Sequence, residues 1–261
     1  SRRAVRPLSL YVHVPFCANI CYYCACNKVI TKDRARAQPY LRRLEQEIQL
    51  IACHLDPKQT VEQLHFGGGT PTFLSHTELR ELMAHLRQHF NLLDDDSGDY
   101  GIEIDPREAD WPTMGLLREV GFNRVSLGVQ DLDPTVQRAV NRLQTLEQTR
   151  AIIDAARTLQ FRSISIDLIY GLPKQTPQGF AHTVDEIIKL QPDRLSVFNY
   201  AHLPERFMPQ RRIDSNDLPA PAAKLEMLQR TIDQLTAAGY RYIGMDHFAL
   251  PDDELAIAQE E

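Results

Sequence analysis

The 261-residue chain has no run of about 18 apolar residues, so no segment is expected to span a membrane as a helix. It has no excess of positive charge. Its 29 Lys and Arg stand against 35 Asp and Glu, and a net charge of −6 leaves no electrostatic footprint for nucleic acid. The basic start, Ser1-Arg2-Arg3-Ala4-Val5-Arg6-Pro7, lacks the apolar stretch of a signal peptide. An initiator Met is also lacking, as expected of a trimmed chain. No internal repeat and no low-complexity linker occur. Nor are the five cysteines spread as a disulfide framework would be: Cys17, Cys21, Cys24 and Cys26 lie within ten residues, and Cys53 stands alone. Bunched thiols read as metal binding in a reducing compartment, with the cytoplasm as the default address.

What is present is ordinary for a globular chain: 43% hydrophobic and 25% charged residues, in a length suited to one large domain or two small ones. Apolar runs of period two alternate with runs of helical period. The strand candidates are residues 9–14, 61–66, 100–104, 124–129, 163–168, 194–198 and 240–245. Between them Leu41, Leu44, Ile48, Ile51 and Leu55 share one helical face, as do Leu79, Leu82, Leu86 and Phe90, and Leu225, Leu228, Ile232 and Leu235. Pro39 and Pro112 suit first turns, and Gly121 and Gly239 suit left-handed caps. Residues 94–99 read as an acidic turn, 204–221 as a long polar connection, and the tail from Pro251 as patternless.

Strand and helix in alternation predict a parallel α/β sheet, either doubly wound or a barrel. The strand faces separate the two. Val125, Leu127 and Val129 oppose Ser126, Gly128 and Gln130; Ile164, Ile166 and Leu168 oppose Ser163, Ser165 and Asp167. A doubly wound strand should be apolar on both faces, and a closed eight-stranded barrel fills its interior with Val, Ile and Leu. One face that is repeatedly small or polar predicts a widened or incomplete barrel with a wet or ligand-filled interior.

Cys17, Cys21 and Cys24 leave the first strand in a spacing compact enough for one metal centre. Three close thiolates suit an iron–sulfur cluster with one open iron. A zinc site completed by Cys26 or a histidine, or plain reduced thiols, are the other readings. Cys26 is expected not to be a ligand, because a fourth would close the open iron, and Cys53 is expected to pack. Gly67-Gly68-Gly69-Thr70-Pro71-Thr72 follows the second strand, where glycine lets backbone approach a ligand and offers N–H and C=O groups to it. Glu103, Asp105, Gln130, Asp131, Asp167, Asn199, Tyr200, His202, Asp246 and His247 close or follow later strands, at the end where barrel enzymes build their sites.

These residues resemble the radical S-adenosylmethionine superfamily. Further stretches narrow the resemblance: Tyr11-Val12-His13-Val14-Pro15-Phe16-Cys17, Cys24-Ala25-Cys26-Asn27-Lys28, Glu103-Ile104-Asp105-Pro106-Arg107-Glu108, Gly128-Val129-Gln130-Asp131, Asp167-Leu168-Ile169-Tyr170-Gly171-Leu172-Pro173 and Phe198-Asn199-Tyr200-Ala201-His202. Together they are similar to the oxygen-independent coproporphyrinogen III oxidases over nearly all of the chain.

The resemblance implies an α/β fold, an incomplete, three-quarter parallel β/α barrel of about six β/α units, with residues 1–261 as the core domain. Cys17, Cys21 and Cys24 would hold a 4Fe–4S cluster whose open iron chelates S-adenosylmethionine. Two S-adenosylmethionine molecules are implied. Tyr11, Gly68, Glu103 and Ala201 would contact the cluster-bound one; Tyr23, Gly69, Thr70, Gln130, Arg142 and Asp167 would contact the second. No catalytic side chain is assigned beyond this set. The implied reaction is oxidative decarboxylation of two propionates of coproporphyrinogen III to vinyl groups, giving protoporphyrinogen IX without oxygen. An electron donor and an electron acceptor are also implied; the sequence carries no clear oligomer signal, and a monomer is expected. Family members continue into a C-terminal domain, so this chain is expected to lack that part. Arg206, Arg211 and Arg212 are candidates for the substrate carboxylates. The alternative is a haem-binding or haem-delivery protein on the same fold.

Overall fold

The structure is a computed structural model and describes residues 6–260. The chain opens with β1 (Leu8–Val14), the short β2 (Phe16–Cys17) and β3 (Val29–Ile30), then α1 (Ala37–Ala52) and β4 (Thr60–Gly68). Next come α2 (His76–His89), the short β5 (Asn91–Leu92), β6 (Asp99–Ile104), α3 (Trp111–Glu119) and β7 (Arg124–Gln130). Then follow α4 (Pro134–Ala139), α5 (Leu146–Thr158), β8 (Ser163–Tyr170), α6 (Pro177–Lys189) and β9 (Arg194–Asn199). The chain closes with α7 (Pro221–Ala237), β10 (Arg241–Gly244), β11 (His247–Ala249) and α8 (Glu254–Glu260). Among the described residues no helix is long and apolar enough to cross a membrane.

The main sheet runs β1-β4-β6-β7-β8-β9-β11-β10, with β5 beside the start of β4. Strands β1 to β9 of this path are parallel; β11 is antiparallel to β9 and to β10. Its two ends, β1 and β10, do not pair, so the barrel is open, as the polar strand faces predicted. The outward face is apolar. Phe66, Ile102, Leu127, Ile166 and Leu195 are almost fully buried against Leu79, Leu82, Leu117, Ile153, Val184 and Leu235 of the helices. Each such side chain contributes about 1.5–3 kcal/mol on burial. A register shift between Leu8 and Ser9 breaks the alternation on β4, so Val61 and Leu64 are both buried.

Helix ends follow the local chemistry. Ser75 with Glu78, and Thr145 with Gln148, form capping boxes on α2 and α5. Pro39 and Pro112 lie in the first turns of α1 and α3, and Gly121 and Gly239 take φ of 115° and 94° after α3 and α7.

Three expectations need correction. The last predicted strand, 240–245, forms as β10 but does not extend the parallel sheet beside β9. It turns at Met245 and Asp246, both with positive φ, and β11 is inserted between. A two-residue turn of that conformation is the hairpin type that matches strand twist. The tail is not patternless: α8 lies across the end of the sheet where β7 and β9 begin. Glu254 pairs with Arg124 and with Arg162 at 3.0 Å, Asp253 accepts from Arg194 Nε at 2.8 and 2.9 Å, and Leu255 lines the barrel interior. Finally, Leu225 and Ile51 are exposed, so the buried stripes on α7 and α1 are narrower than their periodicity predicted.

Candidate functional site

The inward faces of the strands enclose a cavity of about 490 Å³ lined by polar groups such as Gln63, Ser126, Ser165, Ser196 and His247. Above it, at the carboxyl ends of the strands, lies a second cavity of about 320 Å³. It is lined by Cys17, Cys21, Cys24, Tyr23, Gly68, Gly69, Thr70, Glu103, Gln130, Arg142 and Asp167. Of the implied cluster ligands and cofactor contacts, Tyr11 and Ala201 stand outside that lining. Tyr11 is exposed, stacks on His65 at 6.0 Å and bonds His13 Nδ1 at 3.1 Å; Ala201 is exposed just after β9.

The cysteine loop is tied down from several sides. Thr31 N donates to Cys17 O at 2.9 Å, and Thr70 N donates to Phe16 O at 2.7 Å. Tyr22 N donates to Val140 O at 2.9 Å, and Asn141 Nδ2 donates to Ile20 O at 2.8 Å. The buried Gln210 donates to Tyr23 O at 3.0 Å while accepting from Leu203 N at 2.6 Å. Beneath the loop, Tyr22 and Tyr23 pack on a small separate core of Val136, Val140, Leu172, Tyr200 and Ile213.

All five cysteines are free, and Cys53, expected to pack, is instead exposed at the end of α1. Among the described residues no three His, Cys, Asp or Glu side chains converge on a point that one metal ion could occupy. A zinc site gathers its ligands around one ion, whereas a multi-iron cluster holds its thiolates on different irons. Burial pushes the Cys17 thiol up, although Thr70 Oγ1 donates to it at 3.5 Å. Cys24 is pushed down to about 6, chiefly by a hydrogen bond from Cys26, whose own thiol is driven up by the same bond. Lys28 Nζ bonds the carbonyls of Cys24 and Cys26 at 3.2 Å each.

Asp105 sits between two guanidiniums. Arg107 Nη2 reaches its Oδ2 at 2.7 Å and Arg142 Nη1 at 3.1 Å. Burial opposes the Asp105 charge, but the two arginines win and hold its carboxyl below the usual range. The same two arginines approach the Cys21 sulfur, at 3.7 and 3.6 Å. Arg107 and Gln210 were not singled out as site residues from the sequence. The Asp105–Arg107 spacing within one turn was the signal for the first; Gln210 gave none, its partners being remote.

The glycine run departs from expectation. The N–H groups of Gly68, Gly69 and Thr70 already serve Glu103, Val14 and Phe16, at 3.2, 2.8 and 2.7 Å. What the run can offer a ligand is therefore carbonyl oxygen, an acceptor suited to an ammonium group. Close approach is built in: a Cβ at Gly68, with φ of 113°, would stand 2.6 Å from the His13 ring, and one at Gly69 would stand 2.7 Å from Phe16 O. Asp131 also differs. It is buried away from the cavity, bonded to Gln175 at 2.6 Å and Thr183 at 2.9 Å, as a structural carboxylate. Asp246 lies in the β10–β11 turn, and Tyr200 Oη bonds His202 Nδ1 at 2.8 Å within the small core.

Two buried polar atoms at the cavity have no partner, the donor Arg142 Nε and the acceptor Gln130 Oε1. A ligand carrying both an acid and an amine would satisfy such a pair. Thiols, glycine cradle and orphaned polar atoms thus fit a cluster with an amino-acid-bearing cofactor. The radical SAM superfamily pattern matches residues 11–187. The chain belongs to the radical SAM superfamily. Membership implies a 4Fe–4S cluster and S-adenosylmethionine as cofactors.

Relatives are close in sequence. The oxygen-independent coproporphyrinogen III oxidase of Pseudomonas aeruginosa is 78% identical over all 261 residues, and that of Escherichia coli is 53% identical. The chain spans 57% and 56% of those relatives, about half of their length. The structure of the Escherichia coli coproporphyrinogen III oxidase, described as a radical SAM enzyme, superposes with a TM-score of 0.95 over the whole chain and 59% of its own. A more distant structure, anSMEcpe with bound AdoMet, is 18% identical with a TM-score of 0.59 over 87% of the chain, and supports the fold alone. The radical SAM fold and the open six-unit barrel agree with the sequence reading.

Proposed function

We propose that this chain is the radical SAM core of an oxygen-independent coproporphyrinogen III oxidase, carrying out the oxidative decarboxylation of two propionates of coproporphyrinogen III. The observation that carries this reading is the 78% identity to the Pseudomonas aeruginosa oxidase over the whole chain. The haem-binding alternative finds no counterpart among these relatives, which bear the oxidase name.

In this reading Cys17, Cys21 and Cys24 hold the cluster and leave one iron to S-adenosylmethionine. When bound, the pair supplies a carbon radical by one-electron cleavage of the sulfonium. The chain's own residues bind and orient. Carbonyl oxygens of the glycine run accept from the cofactor's ammonium. Glu103, placed by Gly68 N and by His65 Nε2 at 3.3 Å, faces the cavity and accepts ribose hydroxyls. Arg142 Nε and Gln130 Oε1 offer the unsatisfied donor and acceptor for a second cofactor molecule, with Tyr23, Thr70 and Asp167 around them. Arg212, exposed and stacked over the Tyr22 ring at 5.3 Å, with Arg206 and Arg211 exposed beside it, suits the substrate's non-reacting carboxylates. Free thiols suit a reducing, cytoplasmic setting, and we assign a monomer served by a separate electron donor and acceptor.

The test is anaerobic. The protein is loaded with iron and sulfide, reduced with dithionite, and assayed for 5′-deoxyadenosine and methionine with and without coproporphyrinogen III. Substrate-dependent formation of both, with vinyl product, supports the proposal. Cofactor cleavage indifferent to the porphyrinogen, in a protein with a full cluster, would sink the substrate assignment.

A further inference from the structure

Buried charges in proteins are normally matched, because an unmatched one forfeits its hydration. The cavity wall breaks that rule. The side chains of Arg107 and Arg142 are 17% and 8% exposed and share one carboxylate, that of Asp105, itself 10% exposed, while Arg142 Nη2 also donates to Gly128 O at 2.6 Å. Asp105 Oδ1 takes the backbone N–H and Nε of Arg107 at 3.0 Å each, and Oδ2 takes Nη2 of Arg107 and Nη1 of Arg142. Two guanidiniums on one carboxylate leave a surplus positive charge. Both direct an N–H toward the Cys21 sulfur, Arg107 Nη2 at 3.7 Å and Arg142 Nη1 at 3.6 Å.

The other two thiols are treated differently. Cys17 receives one neutral hydroxyl, Thr70 Oγ1. Near Cys24 the one Lys28 ammonium bonds the carbonyls of Cys24 and Cys26 and also acts on the Cys24 sulfur. Cys21 is thus the one of the three sulfurs that two guanidiniums approach. Hydrogen bonds to a thiolate and net charge nearby set the reduction potential of an iron–sulfur cluster, and positive charge favours the state with one more electron.

We propose that Arg107 and Arg142 act through Cys21 to raise the reduction potential of the cluster, with Asp105 setting how much of their charge reaches the sulfur. The inference rests on the cluster ligation given under "Proposed function". Both arginines are positioning residues in this role. Arg107 is the cleaner probe, since Arg142 Nε remains open to a ligand.

The experiment is redox potentiometry followed by EPR, on protein loaded with iron and sulfide, without S-adenosylmethionine. Wild type, Arg107→Gln, Arg107→Lys and Asp105→Asn are compared at measured iron and sulfide content. Arg107→Gln is expected to make reduction about tenfold harder, a shift of about 59 mV to more negative potential for one electron. Asp105→Asn is expected to shift the potential the opposite way, and Arg107→Lys to stay within about threefold of wild type. A merely structural role would not give opposite signs. Arg107→Gln with a full cluster and an unmoved potential overturns the proposal. So does a negative or absent shift in Asp105→Asn, which decides alone when Arg107→Gln fails to load iron. A wild type that takes up no cluster overturns the ligation itself, a failure separate from these.

Discussion

Replacing Asp167 with Asn is expected to stabilise the chain above pH 6 and to change little near pH 4. Asp167 ends its run on the inward face of β8, deep between the two cavities. Burial, and then the charge of Glu103, push its carboxyl up to about 6; Ser196, Ser126 and His247 pull only weakly the other way. The arginines that share the lower cavity, Arg124 and Arg194, are engaged by Asp99, Glu254 and Asp253. An unfolded Asp titrates near 3.9, so the native state holds this proton about two units more tightly than the unfolded chain. Folding stability is therefore full at low pH and lost as pH rises from about 4 through about 6, after which the loss is constant. Two units correspond to about 3 kcal/mol, and water in the cavity screens part of it, leaving a working figure of about 1–3 kcal/mol. Asn fills the same volume and cannot ionise. Urea unfolding of both proteins across pH 4.5 to 8 should show a difference in free energy that grows with pH and levels off above about 6. A difference that is flat with pH, or an Asn variant less stable at pH 8, would refute the reasoning.

Gly68→Ala forces an L side chain to φ of 113° and a Cβ onto the His13 ring. The backbone strain alone costs about 1–2 kcal/mol, and the EPR change on adding S-adenosylmethionine should disappear while the cluster remains. Gln210→Ala leaves the Tyr23 carbonyl and the Leu203 N–H without partners, at about 1–3 kcal/mol each. A lower melting temperature and faster loss of iron to a chelator should follow; unchanged iron release would show that the loop is held without this residue. Asp253→Asn removes the charge that Arg194 grips with both contacts, worth about 1.5–3 kcal/mol. Limited proteolysis should then cut beyond residue 250 more readily than in wild type.

The parts of this site that chemistry confines to a short stretch were legible in the sequence. Thiols around one centre must be close along the chain, and a backbone cradle must be glycine, so the Cys17–Cys24 loop and the Gly67–Gly69 run were visible in one reading. The open barrel was legible too, because a strand facing water keeps Ser and Asp where a packed one would carry Val. What failed depended on distant partners. Glu254, Asp253 and Glu260 look like a solvated acidic tail until Arg124, Arg194 and Arg241 are seen to meet them. Asp131 resembles the neighbouring strand-end polar residues, but the positive φ of Gln130 breaks the alternation and turns Asp131 to the helix side. Gln210 carried no pattern, since both groups it bridges are backbone.

The ties on the cysteine loop bear on how iron enters. Small metal sites whose loops are shapeless without metal couple folding to loading, and lose their structure when the ion is stripped. Here Val140, Asn141, Gln210, Thr31 and Thr70 hold the loop with protein bonds alone. Most of the chain entropy of forming the site is lost when the barrel folds, before any iron arrives. The loop is therefore expected to keep its shape when iron is stripped, with a melting temperature that a chelator moves little.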